Sequence, residues 1–235
     1  MVASEFEELN KLAAQGDLDA QYKLGLMYAL RDGVPEYEQE AAKWFRKAAE
    51  QGNSDAQYIL GSMYALGKGV PENDQEAEKW FRKAAEQGNS DAQYILGSMY
   101  ALGKGVPEND QEVEKWFRKA AEQGNLDAQL KLGLMYADGK GVPENDQEAV
   151  KWLRKAAEQG NSDAQFNLGV MYAIGEGILE NYVLGYMWIS LAKYNGHKRG
   201  NEFLENLSGL MSNQDVGKAQ NISLRCLESN YKDCH

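Results

Sequence analysis

Residues 55–90 read DAQYILGSMYALGKGVPENDQEAEKWFRKAAEQGNS, and residues 91–126 return the same string with two changes, Ala77 to Val113 and Ser90 to Leu126. The interval of 36 residues governs most of the 235-residue chain. Asp-Ala-Gln begins at Asp19, Asp55, Asp91, Asp127 and Asp163. Leu-Gly follows at Leu24, Leu60, Leu96, Leu132 and Leu168, and all five tryptophans (Trp44, Trp80, Trp116, Trp152, Trp188) keep the same step. A fixed period of this length is the mark of a stacked-repeat architecture, in which each unit is too small to bury its own apolar stripe.

Each unit reads as two helices. Asn53 is an N-cap and Asp55 suits the positive end of the first helix, which runs to Leu66. Gly67-Lys68-Gly69-Val70-Pro71 stops it. Asn73 or Asp74 caps the second helix, with Glu76 placed to complete a capping box. Ala77, Trp80, Phe81, Ala84, Ala85 and Gly88 then mark one apolar face, and Gly88 suits a left-handed C′ position. Glu78–Arg82 and Arg82–Glu86 are spaced as i,i+4 pairs on the solvated side. The indoles, at one fixed register, are expected in the core.

The Gly-Lys-Gly turn invites comparison with a phosphate loop. Such a loop needs a preceding strand and a lysine at a helix N-terminus. Here Lys68, Lys104 and Lys140 sit between two helices, and the fifth copy has Glu176 instead. The glycines are read as backbone devices, needed for positive φ or close approach.

A helix pair carrying Ala…Leu-Gly…Tyr, a Gly-x-Gly-Val-Pro turn and Ala…Trp…Ala-Ala…Gly-Asn resembles the Sel-one-like repeat, a relative of the tetratricopeptide repeat. The resemblance covers about 18–196 and implies an all-α, right-handed α/α solenoid acting as a protein-binding adaptor with a concave inner face, rather than an enzyme. Five repeats are expected over 18–196, an N-terminal capping helix over 1–17 and a capping helix pair over 197–235. Two copies depart from pattern: the first has Arg31 for the turn glycine, and the fifth has Leu179, Tyr182 and Gly185 for Pro, Asp and Ala. In the N-terminal flank Ala13 and Gly16 keep the repeat register, with Glu8 at the tryptophan position. In the C-terminal flank Phe203, Leu204, Leu207, Leu210 and Met211 form one stripe. A last helix starts at Ser212, with Asp215 three residues on, and runs through Val216, Ala219, Leu224 and Leu227. This tail resembles that of bacterial envelope members of the family.

Alignment with the tetratricopeptide pattern directs four first-helix positions inward. They hold Asp19, Tyr22 and Leu26 in the first copy, Asp55, Tyr58 and Ser62 in the second, and Asp91, Tyr94 and Ser98 in the third. The fourth has Asp127, Leu130 and Leu134, the fifth Phe166 and Val170, and the last position is alanine in every copy, as at Ala65. A groove of aromatic rungs beside a carboxylate rail suits a segment carrying Lys or Arg. The alternative is that the tyrosines pack between neighbouring first helices while the aspartates serve helix N-termini.

The formal charge of −11 lies in residues 1–196, because five basic and five acidic residues balance over 197–235. This disfavours nucleic acid and anionic membranes as partners. No apolar stretch approaches the roughly 18–20 residues of a membrane span. MVASEFEELN shows neither the basic nor the apolar region of a signal peptide, so any such peptide is absent from this chain.

Cys226, Cys234, His197 and His235 are too few and too scattered for a zinc site, and no metal or other cofactor is expected. A Cys/His nucleophile pair is conceivable only in the tail. A Cys226–Cys234 disulfide stapling the chain end is the preferred reading; it implies the bacterial periplasm or the exterior, whereas free buried thiols would fit the cytoplasm. Three functions compete. The first is an adaptor, as an envelope regulator or a toxin neutraliser. The second is an enzyme on cell-wall or β-lactam-type substrates, since cysteine-rich relatives in this repeat family have been linked to penicillin. The third is a nucleic-acid-binding repeat. The absence of any catalytic residue set in the sequence and the acidic charge favour the adaptor.

Overall fold

In a computed structural model, residues 3–30 and 35–234 are described, with side chains from residue 6 onward. The departure read at Arg31 and the terminal His235 lie outside them. Thirteen α-helices and no strand occur among the described residues. They fall into two compact units, Met1–Ala120 and Ala121–His235.

The first unit holds α1 (Ala3–Ala14), α2 (Leu18–Ala29), α3 (Pro35–Glu50), α4 (Ser54–Leu66), α5 (Asp74–Glu86), α6 (Ser90–Leu102) and most of α7 (Asp110–Glu122). Helices α2 and α3 form one hairpin and α4 and α5 the next, with α3 against α4 and α5 against α6. The hairpin closes tightly because residue 61 is glycine. A Cβ there would lie 3.0 Å from the ring of Phe81, so the helices approach nearly backbone to ring. The caps form where the sequence puts them. The Asn53 side chain accepts from Ala56 N at 2.7 Å, and that of Asn73 from Glu76 N at 3.0 Å. The reciprocal half of the capping box does not form, because Asn73 N is spent on the carbonyl of Tyr64 at 2.9 Å, tying the second helix to the first. Glu76 turns to Lys79. Arg82 donates to Glu78 at 2.7 Å and to the hydroxyl of Tyr100, one repeat on, instead of pairing with Glu86.

The core is an alanine-rich seam threaded with large rings: Phe45, Leu60, Trp80, Phe81, Leu96 and Trp116 lie in one buried cluster. All five indoles are buried, from 8 % exposed at Trp44 to 1 % at Trp188. One buried polar residue had no role in the sequence reading. Gln57 donates to the carbonyl of Ala49 at 3.0 Å and accepts from Gln87 at 2.6 Å. Gln21 likewise donates to Ala13 O and accepts from Gln51. The third letter of Asp-Ala-Gln is thus a satisfied bridge between the two helices of its own hairpin and the helix before them, which is what a buried amide requires.

The second unit holds the end of α7, then α8 (Leu126–Asp138), α9 (Asp146–Ala157), α10 (Ser162–Ile174), α11 (Tyr182–Tyr194), α12 (Gly200–Ser208) and α13 (Asn213–Glu228). The amide bridges recur, Gln159 to Gln129 at 2.7 Å and Asn195 to Gln165 at 2.8 Å. Helices α12 and α13 pack on α11. Ser212 caps α13, accepting from Asp215 N at 3.1 Å. Two apolar residues of the tail stay open. Leu210 follows the end of α12 and is 67 % exposed, and Leu224 is 58 % exposed. The face that α13 buries is Ala219, Ile222, Ser223 and Cys226.

After α13 the chain turns through Asn230 and Tyr231, both at positive φ (53° and 64°). The Tyr231 hydroxyl meets the Asn195 side chain at 2.8 Å. Cys226 and Cys234 are joined as a disulfide with Cα atoms 4.6 Å apart, both buried. Closing so short a loop stabilises the tail by about 2–3 kcal/mol in the chain-entropy account. Reduction should therefore free the last turn, raising amide exchange at Tyr231 and lowering the melting temperature. Mass spectrometry with and without reductant, reading the two hydrogens gained, checks the bond itself; an unchanged mass with full protection of Tyr231 would count against it.

Candidate functional site

The first helices present two chemical zones. Near their N-termini stand Asp19, Asp55 and Asp91, all exposed. Half-buried tyrosines follow one turn later. The ring each tyrosine meets is the phenylalanine of its own hairpin: Tyr22 on Phe45, Tyr58 on Phe81 and Tyr94 on Phe117, with centroids 6.0, 5.9 and 5.6 Å apart. Burial raises the Tyr22 and Tyr58 hydroxyls above their ordinary range, and the charge of the next repeat's aspartate, Asp55 or Asp91, adds to it. Carboxylate and phenol from successive repeats therefore lie within one electrostatic neighbourhood. Asp55 also accepts from Asn89, the cap of α6, at 3.2 Å.

Near the C-terminal half of the same helices the surface turns apolar. Ser62 and Ser98 spend their hydroxyl protons on the carbonyls of Tyr58 and Tyr94, both at 3.0 Å. Leu26 is 37 % exposed, whereas Leu66 and Leu102 are 66 % and 72 % exposed. The sequence marks this position only as the end of the first helix, at Leu66. The signal at Leu66 and Leu102 is a large aliphatic residue at the final turn, immediately before the turn glycine. Between α4 and α6 they border an open apolar cavity of about 280 Å³, also lined by Ser62, Phe81, Ile95 and Ser98.

In the second unit the expected groove residues divide. Asp127 is exposed, and Leu134 and Val170 are half-buried. Leu130 and Phe166 are only 8 % and 6 % exposed and offer no open rung. Phe166 is covered by the tail: the His197 ring stacks on it at 4.1 Å, Phe203 meets it edge-on at 4.8 Å, and Arg199 lies 5.5 Å from its centroid. Burial lowers the His197 pKa, with Arg199 acting in the same direction and Asp163 against it. The folded chain therefore holds the neutral imidazole more strongly than the unfolded chain does. Its contribution is complete above the ordinary histidine range and is lost as pH falls through the lowered folded value. A second apolar cavity, about 270 Å³, lies between Val170, Ala173 and Ile174 of α10 and Phe203, Leu207 and Leu210.

No group of three or more His, Cys, Asp or Glu side chains able to hold a metal ion occurs among the described residues. No helix among them is long and apolar enough to cross a membrane.

Comparison with known proteins supplies the wider frame. The Sel1 repeat profile matches residues 18–53, 54–89, 90–125, 126–161 and 162–197. The crystal structure of a protective antigen present in uropathogenic Escherichia coli strains, displaying an SLR fold, is 35% identical with a TM-score of 0.84, over 97% of this chain and 50% of that one. The chain thus spans about half the length of that antigen. A Sel1 repeat protein from Oxalobacter formigenes is 33% identical with a TM-score of 0.76, over 92% of this chain and 89% of that one. No curated protein matches the chain.

Proposed function

The chain belongs to the Sel1 repeat family, and from that premise we propose that it is a scaffold holding a Lys- or Arg-bearing protein segment on the inner faces of its first helices. The observation that carries this is that exposed aspartates and half-buried tyrosines share the first helices, with the charge of Asp55 felt at Tyr22 and that of Asp91 at Tyr58. A cation placed there gains a carboxylate and the face of a ring together. Helices α4 and α6 carry no Lys or Arg, so nothing on them repels such a guest. The charge of −11 favours a basic partner over a phosphate backbone. The Cys226–Cys234 pair supports a place in the bacterial periplasm or outside the cell, where disulfides persist. Regulation in the envelope and neutralisation of a secreted toxin are both roles that such a grip can serve.

The reading is tested with immobilised 15-residue peptides of basic, neutral and acidic composition. Basic peptides should be retained preferentially and released by salt. The double variant Tyr58→Ala, Tyr94→Ala should weaken them about tenfold or more, equivalent to roughly 1.4 kcal/mol. Equal retention of acidic peptides, or a double variant that keeps both its melting temperature and its affinity, would remove the inner faces from consideration.

A further inference from the structure

We propose that the cavity between α4 and α6 is a subsite for one large apolar side chain of an extended segment whose Lys or Arg lies about three residues away. This rests on the scaffold reading and makes it specific. The walls are Leu66, Phe81, Ile95 and Leu102, and the two serines on the lining, Ser62 and Ser98, already donate to their own helices. Their hydroxyls therefore bring no unspent proton to the cavity. Its volume of about 280 Å³ accommodates a leucine, methionine or phenylalanine side chain with room for its backbone at the mouth. Leu66 and Leu102 stand 66 % and 72 % exposed on its rim, apolar surface that a guest would remove from water.

Asp74 and Lys104 form the polar end of the cavity. Asp74 Oδ1 is shielded from solvent and lacks a hydrogen-bond donor, although Lys104 Nζ lies 3.2 Å away as an ion-pair partner outside hydrogen-bonding geometry.

The spacing follows from helix geometry. Asp91 lies in the first turn of α6 and Ser98 seven residues further along it; at 1.5 Å per residue they are about 10 Å apart. An extended chain covers that distance in about three residues. A base seated at Asp91 therefore brings the third residue before or after it to the cavity.

Selection of random 12-residue peptides displayed on phage, against the intact chain, tests this without presuming a partner. The expected yield is peptides with Lys or Arg three residues from Leu, Met or Phe. Their affinity should fall at least tenfold for Ala65→Leu, which fills the cavity, and for Leu66→Lys, which changes an exposed rim residue. Glu228→Gln, an exposed carboxylate of α13 outside the first helices, should leave it unaltered. Circular dichroism melting identifies any variant that has lost its fold, and Leu66→Lys then stands as the informative one. Basic peptides that lack the apolar residue, or that bind both variants as well as the wild type, overturn the cavity while leaving the scaffold reading intact. A selection that returns only acidic peptides, or no chain-specific peptide, overturns both.

Discussion

Trp116→Ala is expected to cost about 3–5 kcal/mol, the range for removing a buried indole from a packed core. The ring is 2 % exposed, and its Nε1 donates to Glu112 at 2.8 Å. Lys115 and Lys119 lie over its face, 5.0 and 4.6 Å from the centroid. Truncation leaves a void in the cluster that also contains Leu96 and Met99 of the neighbouring helix, so the seam between elements is damaged along with the hairpin itself. In a stacked array stability is close to a sum of unit and interface terms, and a mid-array loss of this size should split the unfolding transition. Urea denaturation followed by circular dichroism reads both the loss and the split. Trp44→Ala makes a graded comparison: Trp44 is 8 % exposed and its Nε1 has no partner, so its removal should cost less. A Trp116→Ala loss below about 1 kcal/mol would contradict the packed seam. There is also an acid-side signature. Hydrogen bonding from Lys115, joined by that from Trp116, holds the Glu112 carboxyl below its ordinary range. That stabilisation is present at neutral pH and fades as pH falls through the lowered value.

What was legible in the sequence is whatever depends on near neighbours along the chain. Asn53 and Asn73 cap their helices and Gly88 takes positive φ, because caps and turns are decided within a few residues. The tryptophans were legible as core because an identical register implies an identical environment. The losses occur where a distant element decides. Phe166 has the same helical position as Tyr58 and was read as an open rung, yet α12 brings Phe203 onto it. Nothing in α10 itself announces that covering. Leu224 continues the apolar pattern of α13, but the helix is rotated so that Ser223 and Cys226 face inward, with Ser223 donating to Ala219 O at 2.9 Å. A serine able to satisfy itself on its own helix can enter the core. The amide bridges of Gln57 were invisible for the opposite reason: glutamine is usually solvated, and only the stacked hairpins supply its two partners. The capping box failed at Asn73 because its N–H had a stronger claim from Tyr64 O, an acceptor that exists only once the turn is folded.

That turn carries the second large expected effect. Gly69→Ala should destabilise by about 2–5 kcal/mol. Two separable costs contribute. Gly69 has φ +67°, where an alanine costs about 1–2 kcal/mol. A Cβ there would also sit 2.2 Å from Glu38 O and 2.4 Å from Glu38 C, backbone atoms of α3 in the preceding hairpin. Relieving that contact means moving the turn away from α3, a cost comparable to overpacking, about 1–3 kcal/mol. Gly88 isolates the first cost: its φ is +95° and a Cβ would meet nothing within 4 Å. Gly88→Ala should therefore lose only the conformational part. Asparagine tolerates the left-handed region, so Gly88→Asn should be nearly neutral while Gly69→Asn still suffers the collision. Gly105 repeats the arrangement one unit on, with Asp74 O 2.4 Å from the added Cβ, and Gly105→Ala should match Gly69→Ala. The five variants, melted side by side, distinguish a turn that needs only unusual φ from one pressed against its neighbour. Equal losses for Gly69→Ala and Gly88→Ala, with both asparagine variants near neutral, would leave the glycine spacing explained by conformation alone. The loss expected here at Gly69→Asn requires that the repeat interval also record how closely one hairpin's turn seats on the helix before it.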